Sequence, residues 1–187
     1  MASKRDELEE LLKNFIDANY ASAAPGMDIL VRGNNFNFEY WTGSIPELNF
    51  SYKRDTIYDM ASLTKPVVTA TLVMKILEAG KIGLEDTLQS LGIYSSEFAI
   101  SKLTIRELIT HTSGLIPTYP LYKYGTTRED YLRTIAIMHE RRLPVAEEYS
   151  DLNYILLGLI IERIMGKNLD DIAQYYYRGT RQRFYGY

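Results

Sequence analysis

Ser62-Leu63-Thr64-Lys65 is the single S-x-x-K in this sequence of 187 residues. A serine hydroxyl becomes a nucleophile when a neighbouring group takes its proton. Residues three apart on a helix share a face, so the Lys65 amine can approach the Ser62 oxygen. A helix start adds backbone N–H groups for a developing oxyanion. For Lys65 to act as the base, its pKa must fall from about 10.4 toward 7, which costs roughly 4 kcal/mol, and burial in an apolar helix face is the expected cause. The same residues also fit a plain structural role, with Ser62 as an N-cap and the Lys65 stem lying over apolar surface. The tetrapeptide alone does not choose between them.

Other chemistries are thinly represented. There is no cysteine, which removes disulfides, thiolate metal sites and a cysteine nucleophile, and with two histidines no metal or other cofactor is expected. His111 invites a Ser-His-Asp reading, but no G-x-S-x-G elbow accompanies it. We read His111 as structural and His139, in Met138-His139-Glu140-Arg141-Arg142, as a solvated helix end. The net charge of -3 and a sequence pI near 5.5 argue against a general nucleic-acid binder. No window reaches membrane-spanning length, and the polar start Met1-Ala2-Ser3-Lys4-Arg5-Asp6-Glu7 predicts a cytoplasmic protein.

The elements that must hold Ser62 can be read from periodicity. Leu8, Leu11, Leu12, Phe15 and Ile16 mark one face of a first helix, with Ser3 and Asp6 as a capping box. Met27 to Arg32 and Phe36 to Thr42 predict a hairpin around Gly33-Asn34-Asn35, a cluster able to supply positive φ, and Thr56-Ile57-Tyr58 is a weaker third strand. Ser62 to Ala79 is apolar on most sides and stops at Gly80, which predicts a buried helix with Pro66 in its first turn. Thr104 and Glu107 form a second capping box, and Thr127 opens a helix reaching about His139. Leu152 to Met165 is a strongly apolar helix closed by Gly166, and Asn168 caps a shorter one toward Tyr175.

Three blocks carry a resemblance: Asp59-Met60-Ala61-Ser62-Leu63-Thr64-Lys65, then Leu103-Thr104-Ile105-Arg106-Glu107-Leu108-Ile109-Thr110-His111-Thr112-Ser113-Gly114-Leu115, then Tyr149-Ser150-Asp151-Leu152-Asn153-Tyr154-Ile155-Leu156-Leu157-Gly158. In this order they resemble successive blocks of the serine β-lactamase-like, penicillin-binding family, which includes class C β-lactamases, D-alanyl-D-alanine carboxypeptidases and related carboxylesterases. The resemblance implies that Ser62 is the acylated serine, Lys65 its base and Tyr149 the tyrosine of the second motif. Tyr149 would exchange a proton with nucleophile or leaving group, its phenol tuned downward by Lys65. Asp151 departs from the commonest pattern, which has Asn two residues after the tyrosine; Asn153 lies four residues after and cannot stand in for it. A carboxylate at 151, lining the substrate site near Lys65, favours the charged ammonium and opposes a neutral-lysine mechanism, unless Asp151 is itself protonated or points elsewhere. Ester cleavage is thereby better supported than β-lactam turnover.

The family's third motif, a Lys-Thr-Gly, His-x-Gly or Trp-x-Gly strand, is expected after the tyrosine motif and is not found there. Trp41-Thr42-Gly43 and Lys123-Tyr124-Gly125 precede Tyr149 and read as chance decoys. The chain is therefore expected to be the N-terminal part of the family's domain. The expected fold is α+β and mostly helical, an incomplete β-lactamase/transpeptidase-like fold with a small antiparallel sheet portion. Residues 1–85 would hold the first helix, hairpin and nucleophile helix, 86–177 a helical region, and 178–187 an irregular tail. From Tyr175 onward there are three Arg, five Tyr and no acidic residue, a pattern that can stack on single-stranded nucleic acid but reads more simply as a frayed terminus. The expected function is a serine hydrolase forming an acyl-enzyme on Ser62 from a small-molecule ester or amide. The alternative is an inactive remnant serving as a binding or scaffold protein. The expected partners are a complementing C-terminal chain or a second copy, with neither nucleic acid nor membrane.

Overall fold

The computed structural model describes residues 4–19, 24–140 and 148–178. Ser3, and the tail beyond Arg178, lie outside them. Contacts divide the chain into two compact units, Met1–Asp59 and Met60–Tyr187. The nucleophile segment therefore groups with the helical unit, where the sequence pattern had grouped it with the hairpin.

In the first unit, helix α1 (Lys4–Asn19) precedes strands β1 (Gly26–Gly33), β2 (Phe36–Ile45) and β3 (Phe50–Ser51). They form one antiparallel sheet of order β1-β2-β3, with Gly26 opposite Gly43 and Gly33 opposite Phe36. The turn at Asn34-Asn35 closes the hairpin without positive φ at Gly33, Asn34 or Asn35. Left-handed freedom is used instead at Gly43, φ +104°, where the chain passes Pro25 so closely that a Cβ would collide with its carbonyl. The third strand lies at Phe50–Ser51, not at Thr56–Tyr58. Thr56 is taken up by a turn, its Oγ1 accepting the Lys53 N–H at 2.7 Å. The apolar face expected on α1 is only partly used. Ile16 is buried, while Leu8, Leu11 and Phe15 are exposed, because a sheet of two long strands and one short one covers little of the helix.

The second unit holds α2 (Thr71–Glu78), α3 (Ile105–Ile109), α4 (Arg128–Glu140), α5 (Asp151–Met165) and α6 (Leu169–Tyr176). Helix α5 is its centre. Leu152, Leu156, Leu157, Ile160 and Ile161 are buried together with Val68, Leu72 and Ile76 of the nucleophile segment, Ile105 and Leu108 of α3, Ile135 of α4 and Ile172 of α6. Sequence-visible stops hold. Thr104 and Glu107 make a reciprocal capping box, Thr127 and Asp130 make a second one ahead of α4, and Gly166 ends α5 at φ +66°. Asn168 does not cap α6 with its side chain. Its Oδ1 accepts from Arg128, and the Leu169 N–H is taken by Glu162 at 2.8 Å. His139 is half-buried, not solvated.

The helix expected from Ser62 onward is irregular at its start. Ala61–Leu63 is a tight 3-10 turn and Lys65–Ala70 a widened π-type stretch, before regular α-geometry begins at Thr71. Pro66 contributes no N–H to this stretch, and the Thr71 hydroxyl donates to the Pro66 carbonyl at 3.1 Å. Gly80, φ +65°, closes α2. No helix among the described residues is long and apolar enough to cross a membrane.

If α5 is the core of this unit, truncating its inner face should dominate stability. Leu156, fully buried, is expected to lose about 2–5 kcal/mol on substitution by Ala. Met74, 56% exposed on α2, is expected to stay within about 0.5 kcal/mol. Urea unfolding of the two variants checks the contrast, and equal losses would contradict this packing.

Candidate active site

Ser62, Lys65, Tyr149 and Asp151 all belong to the second unit, and the fold brings them together. Ser62 stands in the 3-10 turn directly after Ala61, whose φ is +42°. A non-glycine residue there stores on the order of 1–3 kcal/mol of strain, a cost typical of positions held by function. Lys65 lies one turn on, with its Nζ 3.0 Å from Ser62 Oγ, as the i, i+3 spacing predicts.

Lys65 has other partners. Its Nζ is 2.6 Å from Asp151 Oδ1 in an ion pair whose side chains are 13% and 42% exposed. It also lies 5.0 Å from the centroid of the Tyr149 ring. Burial alone would pull the Lys65 ammonium down, but hydrogen bonds to Asp151 and Tyr149, with the attraction of both groups, outweigh it and hold the pKa above its ordinary 10.5. The expected neutral lysine base is therefore not the resting form. The physical reason is the residue that departs from the family pattern, since Asp151 faces the amine and stabilises its charge.

Tyr149 moves the opposite way. Its phenol lies below the ordinary 10.0, first because of the hydrogen bond with Ser62 and next that with Lys65; burial and the Asp151 charge oppose this, and the Lys65 charge adds to it. Tyr149 precedes α5, which Ser150 caps by accepting the Leu152 N–H at 3.2 Å. That cap turns the chain so that Tyr149 stays outside the helix, 53% exposed, while Asp151 occupies its first turn. An open cavity of about 580 Å³ runs from Ser62, Lys65 and Asp151 along α5 past Tyr154, Ile155 and Leu159.

Asn153, whose exchange with Asp151 the spacing excluded, is fully buried and accepts from Ser113 at 2.5 Å. The sequence pattern did not single out Tyr154, which lines the cavity and stacks on His111 at 5.0 Å. Burial raises its phenol, assisted by Tyr149 and opposed by Lys65. Its signal was available in the block Tyr149-Ser150-Asp151-Leu152-Asn153-Tyr154, where it lies one helical turn beyond Asp151. Lys123-Tyr124-Gly125 forms the turn before α4, with Asp130 packed against the space a Gly125 Cβ would need, and is no third-motif strand. The described residues after Tyr149 are helices and turns. Among the described residues, no group of three or more metal-ligating side chains is assembled.

Similarity to known proteins follows the same residues. A family model described as Beta-lactamase matches residues 10–176. A putative D-alanyl-D-alanine carboxypeptidase of Escherichia coli O157:H7 is 26% identical, over 88% of this chain and 42% of its own length. Penicillin-binding protein 4* of Bacillus subtilis (strain 168) is 27% identical, over 92% of this chain and 39% of its own. Among solved structures, a class C β-lactamase from Rhodobacter sphaeroides superposes with a TM-score of 0.70 at 20% identity, covering 92% of this chain and 47% of that one. The chain thus spans less than half the length of these relatives. The expected incomplete α+β fold, with a small antiparallel sheet and a larger helical part, is what the structure holds.

Because the folded Lys65 pKa is raised, its contribution to stability is present in full below 10.5 and is lost as pH rises through the higher folded value. Asp151→Asn removes a carboxylate that raises it, so from neutrality upward the variant is expected to be less stable than wild type, with the gap closing above pH 10.5. Urea unfolding of both proteins across this range is the check. A gap independent of pH would show that Asp151 does not act through the Lys65 charge.

Proposed function

The chain belongs to the beta-lactamase family, and on that premise we propose that it is a serine hydrolase in which Ser62 attacks an ester or amide carbonyl with Tyr149, not Lys65, taking its proton. The observation carrying this reading is the placement of Lys65 Nζ between Ser62 Oγ, at 3.0 Å, and Asp151 Oδ1, at 2.6 Å, a carboxylate that favours the charged amine. Lys65 is pushed above 10.5 and Tyr149 below 10.0, both within hydrogen-bonding contact of Ser62.

The sequence of events follows from the contacts. Tyr149 in its phenolate form accepts the Ser62 proton as Oγ bonds to the carbonyl carbon, and the carbonyl π pair moves to oxygen. The Ser62 backbone N–H, oriented by the turn at Ala61, would donate to that oxyanion. Collapse expels the leaving group, which takes the proton back from Tyr149, and an acyl-Ser62 ester remains. Water then repeats the cycle: Tyr149 accepts its proton, the acyl group departs as an acid, and the proton returns to Ser62. Lys65 stays an ammonium throughout, holding the Ser62 oxygen and favouring the phenolate, while Asp151 keeps it charged.

The substrate lies among small esters and amides. Two of the relatives are named as a D-alanyl-D-alanine carboxypeptidase and a penicillin-binding protein, but the carboxylate at 151 adds negative charge beside the nucleophile, which disfavours anionic acyl donors relative to neutral esters.

Incubation with a fluorophosphonate probe is expected to label Ser62, with no labelling of Ser62→Ala. Tyr149→Phe should label about 10²–10⁴-fold more slowly, the usual contribution of a general base. Equal labelling of wild type and Ser62→Ala would sink the proposal. Mass spectrometry after exposure to an activated ester separates turnover from the alternative role. A persistent acyl adduct on Ser62 without product would mark a binding protein that acylates but does not release.

The reading also fixes a pH direction. Labelling should rise with pH to an apparent pKa below 10.0, as Tyr149 ionises. Asp151 opposes that ionisation, so Asp151→Asn is expected to move the rising limb to lower pH. A shift to higher pH would contradict the role given to Tyr149.

A further inference from the structure

His111 is not part of the proton chemistry above, yet it contacts the Tyr149 ring and anchors both of that residue's chain neighbours. It follows α3 at φ +59°, a left-handed conformation in which His is among the better tolerated residues. Its carbonyl accepts the Glu148 N–H at 3.0 Å. Its ring nitrogen Nδ1 accepts the Ser150 N–H at 3.0 Å. Tyr149 lies between these two anchored residues, and its ring packs on the imidazole with centroids 4.5 Å apart. The next turn of the same segment adds two more ties, Ser150 Oγ to the Ile116 carbonyl at 2.5 Å and the Asp151 N–H to the Pro117 carbonyl at 2.7 Å.

The hydrogen bonds determine the protonation of that ring. A backbone N–H can only donate, so Nδ1 carries no proton and the neutral ring holds it on Nε2. The buried neighbours agree. Asn153 Nδ2 lies 3.1 Å from the same Nδ1, and with its nitrogen there its Oδ1 is left to accept from Ser113 Oγ, at 2.5 Å. Ser113 Oγ in turn accepts the Leu115 N–H at 3.2 Å. The chain of donors runs one way, from Leu115 through Ser113 and Asn153 to His111, and it ends on the lone pair that also anchors Ser150.

We infer that His111 is the positioning residue for Tyr149: an unprotonated Nδ1 accepting the Ser150 N–H holds the phenol oxygen against Ser62 and Lys65. Only the kinetic part of the test rests on the proposed hydrolase reading. The acceptor and the ring can be separated by substitution. His111→Asn places an oxygen near the Nδ1 position and tolerates positive φ, whereas His111→Phe keeps an aromatic face and has no acceptor.

The first measurement needs no variant. Nitrogen-15 correlation spectra of the wild-type imidazole at neutral pH should show Nδ1 unprotonated and Nε2 protonated, and a proton on Nδ1 would overturn the inference. In probe labelling, His111→Asn should stay within about tenfold of wild type, while His111→Phe should fall about a hundredfold, the scale of a misplaced catalytic group. His111→Phe should also move the rising limb of the pH profile upward toward 10.0, because Tyr149 loses the contacts with Ser62 and Lys65 that lower it. The charged and titratable groups facing Tyr149 in that profile are Lys65, Asp151, Tyr154 and His111. Labelling of His111→Phe at the wild-type rate, or of His111→Asn as slowly as His111→Phe, would overturn the inference. If wild type does not label at all, the hydrolase reading falls and amide exchange decides this one. The Ser150 N–H should exchange slowly in wild type and His111→Asn and fast in His111→Phe; equal exchange in all three rejects the anchor.

Discussion

The second unit depends at its functional end on how one ammonium is shared. Lys65 Nζ contacts Ser62 Oγ at 3.0 Å and Asp151 Oδ1 at 2.6 Å, and hydrogen-bonds Tyr149. Three acceptors around one cation fix the protonation of the set. Making Lys65 neutral near pH 7 would require a downward shift of about 3 pKa units, roughly 4 kcal/mol. Burial pushes in that direction, yet Asp151 and Tyr149 together push further the other way. A phenol held below 10.0 starts closer to neutrality than an amine held above 10.5, so proton transfer falls more easily to Tyr149. In the proposed mechanism the carboxylate at 151 thus assigns the base to Tyr149 and leaves Lys65 as a cation.

That arrangement survives because its members are anchored from opposite directions along the chain. Ser62 and Lys65 are tied to the core through Val68, Leu72 and Ile76, and Tyr149 and Asp151 through Leu152, Leu156 and Leu157 of α5. The two segments meet in one apolar cluster, whose burial supplies about 25 cal/mol per Å² of apolar surface. The polar ends are then set by specific bonds: the strained turn at Ala61 for the serine, the Ser150 cap and the His111 contacts for the tyrosine. Packing brings the segments within reach, and hydrogen bonds convert reach into alignment.

What could be read in advance follows the same division. The S-x-x-K spacing placed Lys65 on Ser62 because i, i+3 geometry is a property of helices in general. Thr104 with Glu107, Thr127 and Gly166 announced their helix ends because caps are local chemistry. Features created by tertiary contact were not legible. The left-handed Ala61 and the widened stretch at Lys65–Ala70 have no residue signature beyond Pro66. Thr56 reads as β-prone yet closes a turn onto Lys53. Asn168 reads as a cap, but Glu162, one turn back on α5, reaches the Leu169 N–H first. The α1 periodicity predicts the helix that forms over Lys4–Asn19, while how much of its face is covered depends on the extent of the sheet, which no single segment encodes.

The family's commonest Asn at position 151 and the Asp found here differ in what they ask of Lys65. An amide can donate to one neighbour and accept from another, and it leaves the ammonium's pKa to burial and the tyrosine. A carboxylate only accepts, and it adds a full charge 2.6 Å from the amine. With Asp151 42% exposed, solvent screens that charge, so the pair contributes less to stability than a buried pair would. Its effect on titration is to favour the charged Lys65 and to oppose ionisation of Tyr149. In the proposed mechanism Lys65 serves as a fixed cation, worth most where negative charge would develop, on the Tyr149 oxygen and on the attacking Ser62 oxygen. Substrates that bring their own negative charge compete with Asp151 for the same ammonium, whereas neutral acyl donors leave the ion pair intact. On the proposed function, the carboxylate at 151 therefore bears on which acyl donors would fit as well as on which residue would take the proton.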